Sequence, residues 1–178
     1  MNSIESATSS SNYSGIASSV IGTANRTANS NGALIFGAGN EITNSITSIS
    51  APSSGGASAQ ELQQTLMTSI KNSQSGGATL AIGGGNKADY TQKTSIIGVN
   101  NTVTGTSSNI SQYNSVTGFN NTATNVDNTI VLGTNRTLSE LSDTVVIGSA
   151  KSRDRKRQLV MLLLSAAMPT QPLTAASP

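Results

Sequence analysis

Hydrophobic and polar positions along this chain alternate in short bursts. A polar residue precedes a brief apolar run, one glycine closes it, and small polar residues follow. The stretch "NTIVLGTNRTLSELSDTVVIGSAKS" holds the phrase twice, with Gly133 and Gly148 15 residues apart. Seven such units align on Gly22, Gly37, Gly83, Gly98, Gly118, Gly133 and Gly148, at spacings of 15, 46, 15, 20, 15 and 15 residues. The two long intervals are one unit plus an insertion, of 31 and 5 residues.

The columns of this alignment predict the elements. Two residues before the glycine stand Val20, Ile35, Ala81, Ile96, Val116, Val131 and Val146. One before it stand Ile21, Phe36, Ile82, Ile97, Thr117, Leu132 and Ile147. A short run rich in β-branched residues reads as a strand. Glycine then permits a turn with positive φ, and asparagine is the next most tolerant residue. Asn25, Asn40, Asn86, Asn101 and Asn121 stand three positions after their glycines. Five positions after, Thr27, Ile42, Ala88, Val103, Ala123 and Leu138 begin a second, weaker strand. No such unit buries an apolar face alone, but stacked units bury a continuous core. The expected fold is all-β: a parallel β-roll or solenoid of about seven 15-residue coils.

Adjacent strand residues point to opposite faces. Both columns before the glycine are apolar, so both faces of the first strand call for burial. One face fills the coil, and another copy of the chain packed along the axis would cover the other. A monomeric solenoid with a mildly apolar outer wall is the alternative.

Composition narrows the chemistry. Charged residues are 10% and aromatics 3%, well below ordinary globular usage. There is no cysteine and no histidine. Disulfides and thiolate metal sites are therefore excluded, and so is the commonest general base. No cofactor is expected. A seryl nucleophile would need a lysine partner, yet Lys71, Lys87 and Lys93 lie in polar contexts without a distinguishing motif. "IGGGNKAD" lacks the Ser or Thr that follows the lysine of a phosphate-binding loop, since Ala88 follows Lys87.

The units "TVVIGSAKS", "TIVLGTNRT" and "TSIIGVNNTVTG" resemble the YadA-like head of trimeric autotransporter adhesins, also called haemagglutinin repeats. The likeness runs from about Ser18 to Ser149, apart from the insertions. It implies a left-handed roll, association of three chains, export to the bacterial outer surface, and attachment to an unidentified host matrix or cell-surface ligand. Thr117 and the 31-residue insertion depart from the pattern. A membrane connection would run only through an anchor outside this sequence. A phage tail-fibre rod fits the same periodicity. A left-handed β-helix acyltransferase does not, because its six-residue repeat and histidine base are both missing. The expectation is a binding protein and not an enzyme.

Three segments stand apart. Residues 1–17 read as a polar flank before the repeat region 18–150, with no secretory signal after Met1. The insertion, about residues 50–77, contains "SAQELQQTLMTSIKNS", with Leu62, Leu66 and Ile70 four apart. Ser58 and Glu61 fit a capping box, so a helix is expected over about 59–71. Residues 151–178 hold five of the ten Lys and Arg and none of the repeat. A lone basic cluster without interleaved aromatics does not suggest nucleic-acid binding. The change of composition and phase together suggests that the tail is not in the native reading frame after about Ala150.

Overall fold

The structure, a computed structural model, describes residues 1–5, 15, 17–46, 58–72 and 78–150. It is a parallel β-roll, as the repeat predicts. The apolar run of each unit forms the first wall. Its strands are β2 (Ser19–Thr23), β4 (Leu34–Ala38), β6 (Leu80–Gly84), β9 (Ser95–Val99), β12 (Ser115–Phe119), β14 (Ile130–Thr134) and β16 (Val145–Ser149). They pair in parallel in chain order as one seven-stranded sheet. The weaker strand forms a second seven-stranded wall from β1 (Ser3–Glu5), β3 (Arg26–Ala28), β5 (Glu41–Thr43), β7 (Lys87–Asp89), β10 (Thr102–Thr104), β13 (Thr122–Thr124) and β15 (Thr137–Ser139). A third wall is closed by β8 (Thr91–Gln92) and β11 (Ser111–Gln112). At about 4.8 Å per strand, six steps of the first wall give a rod of roughly 29 Å.

Each coil turns at three corners, and the corners are not at the repeat glycine. Residues with φ between 47° and 67° lie two, seven and ten positions after it. Ala24, Gly39, Gly85, Asn100, Asn120 and Asn135 form the first corner. Asn29, Asn44, Tyr90, Asn125 and Glu140 form the second, and Gly32, Lys93, Tyr113, Asn128 and Asp143 the third. Asparagine recurs there because its short polar side chain tolerates the left-handed region best after glycine.

The repeat glycines instead lie within the first wall, stacked on one another in register. A Cβ at Gly22, Gly37, Gly83, Gly98, Gly118 or Gly133 would lie only 1.8–2.0 Å from the carbonyl oxygen of the next glycine up the rod. The column is therefore fixed by close backbone stacking. The positive φ read from sequence is also present, 110–138° at every repeat glycine but Gly133, though it falls within the wall and not at a corner.

Of the two apolar columns, the roll buries one. Ile35, Ala81, Ile96, Val116 and Val131 are sealed inside, facing Ile42, Ala88, Val103, Ala123 and Leu138 of the second wall. The neighbouring column points outward.

The N-terminal flank contributes a partial coil. Asn2–Glu5 repeats the phase of Asn40–Thr43, and Ser3–Glu5 pairs with Arg26–Ala28. The 31-residue insertion carries helix α1 (Ala59–Asn72). The capping box is reciprocal: the Ser58 N–H and hydroxyl donate to the Glu61 carboxylate at 2.8 and 3.0 Å, and the Glu61 N–H donates to Ser58 Oγ at 3.3 Å. The second insertion is looped out after Gly105. Gly105 N–H donates to Asp89 O and Ser111 N–H to Tyr90 O, adjacent carbonyls of the coil below, so the five residues between leave the roll. The tail whose reading frame is in question lies outside the described residues.

Candidate interaction surface

The roll sorts its polar residues before it presents any. The asparagines three positions after each glycine are buried, contrary to the turn role read from sequence. Each Oδ1 accepts the backbone N–H and the side-chain amide of the asparagine one coil up. Asn40 donates to Asn25 at 3.0 Å twice, Asn86 to Asn40 at 3.1 and 2.9 Å, and Asn121 to Asn101 at 3.1 and 2.9 Å. Each amide also donates to the repeat-glycine carbonyl one coil up, as Asn86 does to Gly98 at 2.8 Å. The missing Cβ of the glycine leaves the space for this amide. Aspartate would lack the donor and serine the reach, so glycine and asparagine form one device. Asn2 starts the ladder, donating to Gly22 O at 2.9 Å. Arg136 ends it, with its Nε on Gly148 O at 2.8 Å in place of an amide.

What the roll presents is therefore different from a display of these asparagines. On the outer face of the first wall, Ile21, Phe36, Ile82, Ile97, Leu132 and Ile147 are 37–54% exposed, one above the other. Thr117 is the one polar residue of that column, half-buried between Ile97 and Leu132. The flanking outward columns add exposed Leu34, Ile130, Val99 and Phe119. Every other outward position of the wall is Ser, Thr, Ala, Gly, Leu or Val, so none of its strands carries a charge on this face. Five residues by seven strands span on the order of 550 Å². A third of the wall's 21 outward positions are Ser or Thr, so its apolar part lies within the range for the largest apolar patch on an ordinary monomer.

The second wall has the opposite character. The Arg26 guanidinium bridges Glu5 at 2.9 Å and Glu41 at 2.6 Å. Arg26, its neighbour across the strands, holds the Glu5 carboxyl below its ordinary range, and the two carboxylates raise the Arg26 pKa. Toward the other end this wall is hydroxyl-bearing, with Thr102, Thr104, Thr122, Thr124, Thr137 and Ser139 outward. At the third corner the Lys93 ammonium bonds the Tyr113 hydroxyl at 2.9 Å and sits 4.7 Å from the ring centroid.

Among the described residues no group of His, Cys, Asp or Glu could hold a metal ion, and no helix is long and apolar enough to cross a membrane. Lys87 and Lys71 are exposed, on the second wall and on α1 respectively. The sequence pointed to no ligand-binding residue and read the repeat glycines as structural, and they stack in register within the first wall. The apolar wall was legible only as half of an ambiguous pair of columns. No protein-family model, curated protein or solved structure matches the chain.

Proposed function

We propose that this chain is the head of a bacterial surface adhesin, a homotrimeric rod exported to the outer membrane surface. Its copies meet through the apolar first wall, and its polar walls face the target. The uncharged apolar wall, running the length of an otherwise polar roll, carries the reading. A second copy covers it without burying a charge, and the repeat resemblance supplies the number three. The polar walls then offer threonine hydroxyls, corner asparagines and a few ion pairs to a host matrix or cell-surface ligand. Individual contacts of that kind are weak, and three chains with many copies per cell would add avidity.

The full chain should sediment as a trimer at micromolar concentration and, displayed on a non-adherent bacterium, should confer adherence to matrix-coated surfaces. Ile97→Asp, on the exposed wall, should abolish both while leaving the β-sheet circular dichroism intact. A stable monomer would overturn the assembly, and a trimer without adherence to any matrix or cell surface would overturn the adhesin role.

A further inference from the structure

A wall built from repeats has a difficulty of its own. Along the central outward column successive coils are nearly alike, so two copies that slide by one coil still match apolar residue to apolar residue there. Reversing one copy costs little for the same reason. Degenerate strand faces are where register is weakly specified. The apolar column reads Ile21, Phe36, Ile82, Ile97, Thr117, Leu132, Ile147, with its single polar member at the fifth of seven coils.

We propose that Thr117 is the register pin of the assembly: it favours the parallel, in-register alignment of the copies over one slipped by a coil or reversed end for end. This rests on the association through the first wall proposed above. The occupant of the wall is a second copy for three reasons. The face carries no charge for a charged partner to meet. Its corrugation repeats at the strand spacing, which another copy reproduces. Covering the wall on all three copies buries about 1,650 Å² in all, the size of a standard specific interface.

In register, each Thr117 meets its own copies, and the hydroxyls can donate to one another around the axis. A slip of one coil sets Thr117 against Ile97 or Leu132. A reversed copy, with Ile21 opposite Ile147, sets the fifth coil against the third, so Thr117 faces Ile82. In both cases the hydroxyl faces an aliphatic side chain in place of another hydroxyl of the column, which lowers the equilibrium constant about tenfold for each hydroxyl left unpartnered. A polar residue at the exact centre of the column would allow reversal. The off-centre position disfavours both errors with one side chain: a reversed copy that slides to pair Thr117 with itself leaves two of the seven coils uncovered. Single buried polar groups set register and orientation in this way in coiled coils.

The chain has no cysteine, so single cysteines placed off the wall report alignment cleanly. Full-length Ala28→Cys carrying an energy donor is mixed with full-length Ser139→Cys carrying an acceptor. The two positions lie on the second wall, five coils apart, or about 24 Å along the axis. The time-resolved transfer should show one narrow donor–acceptor distance in which that axial offset is present. A reversed copy would reduce the offset to one coil, about 5 Å.

In the Thr117→Val background the mixture should associate no more weakly, yet its distance distribution should broaden or split. Thr117→Ser, which keeps the hydroxyl, should restore the single distance. An equally narrow distribution in Thr117→Val, a broad one in the parent, or a reversed alignment would overturn the pin while leaving the assembly standing. Failure of the parent chain to associate in the ultracentrifuge would overturn both.

Discussion

The interior asparagines show how a residue can be plain in a sequence and misread. The recurrence of Asn25, Asn40, Asn86, Asn101 and Asn121 was legible, and so was its phase to the glycine. Its reason was not, because asparagine is familiar at positive φ, and that role belongs to its neighbours Asn100, Asn120 and Asn135 one position earlier. Only the stacked coils show that each buried amide closes bonds to the coils on either side. Asn86→Leu would strand the buried Asn101 backbone N–H, whose acceptor is Asn86 Oδ1, and take one bond each from the Asn101 amide, Asn40 Oδ1 and Gly98 O. It should cost about 3 kcal/mol or more in chemical denaturation, since each unpartnered buried group costs roughly 1–3 kcal/mol. Asn120→Gly, at an exposed corner, should stay within about 1 kcal/mol. Equal losses at the two positions would refute the ladder.

At the scale of the element, a strand has two faces, and the sequence could say only that both were apolar. The coil decides which is inside: Val131 is fully buried and Ile147 is 48% exposed. Val131→Asp should therefore cost the monomer several kcal/mol or force the carboxyl to stay protonated. Ile147→Asp should leave the thermal unfolding of the monomer nearly unchanged and weaken association. The inserted helix was readable because its cap is local. Glu61 is held below its ordinary value of 4.5 by the Ser58 N–H and then by the Ser58 hydroxyl. A carboxyl lowered in the folded state stabilises fully above its unfolded pKa and loses that contribution as pH falls through the folded value. Helical circular dichroism should thus drop on acidification below about pH 4, and Glu61→Gln should flatten that part of the profile. The partial coil Asn2–Glu5 was not readable, because it lacks the glycine that indexed the others and follows the 15-residue phase only after eight extra residues (23 in place of 15).

At the scale of the whole molecule, charge and apolar surface are divided between walls. The ion pairs around Arg26 are exposed and contribute little to stability. The wall assigned to assembly has no charge to screen. Sedimentation of the full chain should therefore change little between about 0.05 and 0.5 M sodium chloride, and sulfate should tighten the assembly by strengthening apolar burial. A steep loss of association with salt would place the interface on the second wall.

The 15-residue coil also has a mechanical side. Its strands run around the rod, so the hydrogen bonds between coils lie along the axis. Tension applied end to end opens those bonds one coil after another from the ends, without shearing a whole sheet at once. Each coil occupies about 4.8 Å of the rod and holds roughly 50 Å of chain when drawn straight. A rod of this construction would lengthen about tenfold before it parts, giving up its stacked asparagines in sequence and dissipating the pull coil by coil.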